Sequence, residues 1–246
     1  MHLKPVLRQF LWPFLLLFLF SSCRTISSGN AELNIPPSVV YFSFDDGPDE
    51  HTTPLLLNVL KKHQIRAMFF LLGENAEQYP ELVRQIHNDG HYIANHGYSD
   101  KRAYRMSNKE FRDELIRGEK AINTALGFNM NPKIYRPHYG FYKPRHERIW
   151  VSEGYALIPA TIRVYDAAAS AGKRADVVRR VIGKAEKRNG GLVLFHDARG
   201  SYSNKEEKLK KNPGGPFDRS WIPEAVEEII NILLEKGFVL NNFQEP

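Results

Sequence analysis

The chain has 246 residues, 42% of them hydrophobic and 25% charged, with 17 glycines and 15 prolines. That composition excludes collagenous, low-complexity and wholly disordered chains and leaves room for one large domain or two small ones. The net charge of +6 is far from that of a nucleic-acid-binding arm and reads as solubility, so nucleic acid is not an expected partner. The single cysteine, Cys23, rules out an internal disulfide and a cysteine-built zinc centre. Any metal would be held by His, Asp and Glu.

Residues 1–22 place Lys4 and Arg8 ahead of an apolar run, 10–20, the layout of a secretory signal peptide. Eleven residues with Pro13 inside them fall short of the roughly 20 needed to cross a bilayer. The run ends Phe20-Ser21-Ser22-Cys23, which resembles a bacterial lipoprotein processing site. That likeness implies export to the cell envelope and a membrane anchor through lipid on Cys23; ordinary cleavage nearby is the alternative. Residues 23–37, rich in Ser, Asn, Gly and Pro, read as a tether, and 38–246 as one folded domain.

From Val39 onward, β-prone apolar runs at 39–44, 67–72, 92–94, 133–135, 156–159, 192–195 and 238–240 alternate with helical patterns at 54–63, 80–89, 108–126, 145–153, 174–187 and 223–236. The alternation predicts βα units and a parallel sheet buried on both faces, an α/β fold. In the last helix Val226, Ile229, Ile230, Leu233 and Leu234 are spaced to share one face. Gly90, Gly127, Gly154 and Gly237 follow four of the helices, where a left-handed residue commonly ends them. The stretch 199–221, lysine-rich at 205–211, reads as a solvated surface insertion.

In parallel βα architectures functional residues gather past the C-terminal strand ends. Here the first strand runs into Asp45-Asp46, the third into Asn95-His96 with Asp100 four residues on, the fourth into Arg136, and the sixth into His196-Asp197, while Asp166 lies past the fifth. Two adjacent carboxylates repel each other unless a cation lies beside them. Asp46, His96 and Asp100 could supply three ligands to a divalent ion and leave positions open for water and substrate. A nearby carboxylate to take a proton and an imidazole to give one complete the equipment for hydrolysing an amide.

The segments Ser43-Phe44-Asp45-Asp46-Gly47-Pro48, Arg136-Pro137-His138-Tyr139-Gly140 and Val193-Leu194-Phe195-His196-Asp197 resemble motifs of the polysaccharide deacetylases with a NodB-homology domain. The resemblance spans residues 41 to about 243. It implies a distorted (β/α)7 barrel and a catalytic set of Asp45 as general base, Arg136 holding it, His196 as general acid and Asp166 orienting His196. It also implies metal ligands Asp46, His96 and Asp100, with the Tyr139 N–H on the oxyanion and Leu194 near the acetyl methyl. Three departures stand out: Asp100 occupies the place of a second histidine, His138 that of a proline, and Arg163 and Ala167 those of an Asp and a Trp. The implied cofactor is a divalent metal, zinc foremost, with Co, Mn or Ni as substitutes. The cell-envelope address makes peptidoglycan or another N-acetylhexosamine polysaccharide the expected substrate. A non-catalytic glycan-binding lipoprotein and a hydrolase of small amides or O-acetyl esters are the alternatives.

Overall fold

Eight short strands, all parallel, organise the chain in the computed structural model, which describes residues 35–240. They are β1 (Val39–Asp45), β2 (Met68–Leu71), β3 (Tyr92–Asn95), β4 (Ile134–Tyr135), β5 (Ala156–Leu157), β6 (Ile162–Arg163), β7 (Gly190–His196) and β8 (Val239–Leu240). The order is β5-β4-β3-β2-β1-β7-β6, and β8 pairs with the first two residues of β1. The two ends of this path, β5 and β6, are consecutive in sequence and joined by residues 158–161. A loop therefore stands where a regular barrel would carry a ladder, which is the distortion expected of the barrel. The additional strand, β6, is two residues long, too short for periodicity to reveal. The signal segment and Cys23 lie outside the described residues.

Six helices fall where the patterns place them: α1 (Thr52–Lys62), α3 (Pro80–Asn88), α4 (Asn108–Leu126), α5 (Pro144–Ser152), α6 (Arg174–Arg188) and α8 (Ile222–Glu235). Two more, α2 (Gly73–Gln78) and α7 (Tyr202–Lys211), carry no apolar face that sequence alone would flag. α4 begins with a reciprocal cap. The Ser107 hydroxyl accepts the Glu110 N–H, and the Glu110 carboxylate accepts the Ser107 N–H. It ends at Gly127, φ 83°, and the glycines after α3, α5 and α8 are also left-handed. In α8, Val226, Ile229, Ile230 and Leu233 are buried as expected, while Leu234 lies at the edge, 49% exposed.

Strand alternation decides which residues reach the site. Val40, Phe42 and Phe44 of β1 join Val193 and Phe195 of β7 in the core beneath α1, α6 and α8. Each fully buried side chain of this size contributes about 1.5–3 kcal/mol. Val39 and Tyr41 face the other way, into the barrel interior with Met68, Phe70, Ala94, Ile134 and Leu192. Counting on by two from these interior residues gives Ser43 and Asp45, His96, Arg136, and Leu194 and His196. They meet at the C-terminal mouth.

Candidate active site

β1 ends with Asp45 on the interior face, and Asp46 turns the chain with a left-handed φ of 74°. This conformation is sparsely populated by residues other than glycine but tolerated by Asp. It brings two consecutive carboxylates, each 3% exposed, into one pocket. The Asp46 carbonyl accepts from Asn75 Nδ2 at 2.6 Å, and the same amide group reaches Gly200 O at 3.2 Å. Asn75 Oδ1 accepts the Tyr202 N–H, so α2 staples the turn after β1 to the segment after β7.

Asp45 Oδ1 accepts from Arg136 Nη1 at 2.6 Å. Arg136, itself 4% exposed, also donates to Ser43 Oγ and the Ile158 carbonyl and lies over the Phe70 ring. Asp45 Oδ2 is 3.7 Å from His96 Nε2. His96 Nδ1 faces the Arg136 carbonyl at 2.8 Å. A carbonyl only accepts, so the proton sits on Nδ1 and the Nε2 lone pair points at the carboxylates, the orientation of a metal-ligating imidazole.

Asp46 Oδ1 lies 3.4 Å from His96 Nε2 and 3.3 Å from His138 Nδ1. Asp46, His96 and His138 are the one group among the described residues whose ligand atoms could share an ion, all lying within 4.8 Å of one another. Asp46 Oδ1 and His138 Nδ1 are both buried without a hydrogen-bond partner. Buried polar atoms of native proteins are rarely left so, and two orphans converging with a third donor fit a cation between them. Burial opposes the Asp46 charge, but His138 and His96 hold its carboxyl well below the ordinary value, ready to coordinate.

At the third corner the structure places a different side chain from the one expected. Asp100 is absent from this trio: its carboxylate accepts from the Ser201 hydroxyl at 3.4 Å, and its N–H donates to the same hydroxyl at 3.0 Å. Four-residue spacing places two side chains on one face of a helix, and no helix spans residues 96–102. His138, in a short 3-10 turn after β4 (His138–Gly140), takes that corner because it lies two residues beyond Arg136 on the interior face.

Across the sheet, Asp45 pairs in register with His196. His196 Nδ1 lies 3.1 Å from Asp166 Oδ1, and its backbone N–H donates to Asp166 Oδ2 at 2.9 Å. Burial would lower the His196 pKa, yet Asp166 foremost, then Asp46 and Asp45, raise it to about 9. Arg219 completes the arrangement. Its guanidinium, 2% exposed, donates to Asp166 Oδ2 at 2.5 Å, to the Asp166 carbonyl at 3.0 Å and to the His196 carbonyl at 3.1 Å. Arg219 belongs to the stretch read as a solvated insertion, which proves to contain α7 and to press a buried arginine on the site. Its contacts are tertiary, and the one local signal beside it is the bulky aromatic Trp221, itself buried. Asp197 points elsewhere, accepting from Thr53 Oγ1 at 2.6 Å.

Leu194 precedes His196 by two residues on the interior face and is half-buried. Tyr139 has φ 63° and is 52% exposed, so its strained turn lies at the rim beside the His138 ring, 4.5 Å between centroids. His146 stacks on Phe111 and His91 accepts from the Ala67 N–H, both away from the mouth.

The sequence profile of the polysaccharide deacetylases matches residues 33–158. The chain is 34% identical over 199 residues to a peptidoglycan-N-acetylglucosamine deacetylase of Bacillus cereus, covering 80% of this chain and 64% of that protein. It thus spans just under two thirds of that relative's length. It is 30% identical over 202 residues to a chitooligosaccharide deacetylase of Bradyrhizobium sp., covering 82% of this chain and 87% of the relative. The crystal structure of the Bc1960 peptidoglycan N-acetylglucosamine deacetylase, in complex with a naphthyl N-hydroxybenzamide, aligns with a TM-score of 0.67 at 31% identity, over 84% of this chain and 86% of that one. With its fold, its strand-end carboxylates and both relatives in agreement, this chain belongs to the polysaccharide deacetylase family.

Proposed function

We propose that the protein is a metal-dependent hydrolase that removes N-acetyl groups from an N-acetylhexosamine polysaccharide of the cell envelope, peptidoglycan being the first candidate. One observation carries the reading: a ligand trio with orphaned buried atoms lies between a carboxylate clamped by an arginine and an imidazole clamped by a carboxylate. Asp46, His96 and His138 would hold the metal. Two imidazoles and one carboxylate suit zinc, with Co, Mn or Ni able to replace it. Such an ion, when bound, supplies Lewis acidity to the acetyl carbonyl and acidifies water.

Asp45 takes the proton from the attacking water on Oδ2, while Arg136 fixes Oδ1 and so aims the other oxygen at the mouth. The Tyr139 N–H donates to the oxyanion. His196, its Nδ1 proton held by Asp166, gives the Nε2 proton to the departing amine as acetate leaves. Leu194 lines the wall next to His196, a place for the acetyl methyl. Arg136, Asp166 and Arg219 act as positioning residues.

The apolar run 10–20 and the residues before Cys23 support export and lipid anchoring of a processed chain, which mass spectrometry of the membrane fraction would test. Activity is tested by acetate release from N- and O-acetylated glycans with zinc, cobalt, manganese or chelator. Release that requires metal and disappears in Asp45→Asn, with the fold retained by circular dichroism, is the expected result. A metal-free protein that binds glycan and releases no acetate would instead make it a glycan-binding protein.

A further inference from the structure

We propose that Arg163 is a specificity-determining residue that receives a carboxylate of the substrate. The preferred substrate is then an N-acetylated glycan bearing a carboxylate near its acetamido group rather than a neutral chain. This rests on the deacetylation reading above.

The direction of Arg163 follows from β6. Ile162 belongs to the core beneath the helices and is fully buried, so its neighbour Arg163 turns to the interior face. There its register partner on β7 is Leu194, two residues before His196. The guanidinium reaches the turn after β4, where a Cβ placed on Gly140 would lie 3.1 Å from Nη1 and 3.3 Å from Nη2. That turn carries His138 and Tyr139. Arg163 therefore stands at the mouth, between the Leu194 wall and the rim of the ligand trio.

It stands there without an acceptor. Its side chain is exposed, and among the described residues no carboxylate or carbonyl holds its guanidinium. The acids of the mouth are taken: Asp45 by Arg136, and Asp166 by His196 and Arg219. A second, independent sign is Arg136 Nη2, which is buried and has no hydrogen-bond partner. Arg163 is near enough for its charge to oppose that of Arg136. Two guanidiniums thus carry N–H groups without a protein acceptor, that of Arg163 exposed at the mouth and that of Arg136 buried. A carboxylate meets a guanidinium through two parallel charge-assisted hydrogen bonds, a geometry that neutral hydroxyls cannot match.

The test compares three substrates on the full, metal-reconstituted chain. They are an N-acetylmuramic-acid-containing tetrasaccharide with free lactyl carboxylates, its methyl ester, and tetra-N-acetylchitotetraose. Wild type is expected to show a kcat/KM at least about tenfold higher on the acid than on the ester, the scale of a hydrogen bond to a charged group. In Arg163→Ala that ratio falls to near one, and Arg163→Lys retains part of it. Equal kcat/KM on acid and ester in wild type, or a ratio that survives in Arg163→Ala, overturns the proposal. If no substrate releases acetate, the deacetylation reading fails, and calorimetric titration of the same three glycans decides the carboxylate question by itself. Tighter binding of acid than ester, lost in Arg163→Ala, upholds it, and equal binding overturns it.

Discussion

Replacing Asp166 by Asn keeps the shape of the side chain and removes the charge that holds His196. The difference between about 9 and the ordinary imidazole value of 6.5 for His196 corresponds to ~3 kcal/mol favouring the protonated ring. Burial opposes that protonation and persists in the variant, so without the carboxylate His196 returns to its ordinary value or below. At pH 7.5 the protonated fraction then falls from nearly all to about one tenth, and amine protonation slows by about tenfold or more. A bound divalent cation offsets the pull of Asp45 and Asp46, so the alkaline limb of the loaded enzyme lies below 9, but the separation between wild type and variant remains. The assay is kcat for acetate release as a function of pH. Stability supplies a second readout on chelated protein. Because the folded pKa of His196 is raised, its contribution is complete below about pH 6.5 and is lost as pH rises through about 9. Wild type should therefore lose up to ~3 kcal/mol across that window in urea unfolding, and Asp166→Asn much less. An alkaline limb that stays put, with an unchanged stability slope, would refute the coupling of Asp166 to His196.

Metal analysis after dialysis should find near-stoichiometric divalent ion in wild type and in Asp100→Ala but a clear deficit in His138→Ala; the reverse pattern would return the third ligand to Asp100. Arg219→Met removes the cationic partner of the buried Asp166 carboxylate and the donor to the Asp166 and His196 carbonyls, and breaking a buried ion pair costs about 3–5 kcal/mol, so the urea midpoint should fall steeply, whereas a loss below ~1 kcal/mol would show the guanidinium to be dispensable. Ser107→Ala removes the cap of α4 and should lower stability by about 0.5–2 kcal/mol without altering the pH profile of activity, as thermal unfolding and acetate release together would reveal.

Much of the fold was legible because the signals are local. Buried strands such as 39–44 and 192–195 are continuous apolar runs, α4 carries both its cap and its terminating glycine, and α8 displays its buried face. The elements that escaped, β6, α2 and α7, are short or uniformly polar. α2 and α7 are held by particular distant groups: Asn75 accepts the Tyr202 N–H, Glu74 accepts the Ser203 N–H, and Lys205 pairs with Asp49. No window of neighbouring residues contains that information.

The site divides along the same line. The sequence by itself determined which residue types follow the strand ends, because strand runs and their boundaries are local patterns, and so Asp45, Asp46, His96, Arg136 and His196 were identifiable as a set. Only the tertiary structure decided the company each keeps. Asp100 follows His96 at a spacing that means proximity on a helix, yet it turns to Ser201 in an irregular segment. His138, from another strand end, stands beside Asp46 instead, and Arg219 returns from a polar excursion to hold Asp166. Partners of this kind are chosen by where separate strand ends converge in three dimensions, and sequence separation carries no measure of that distance.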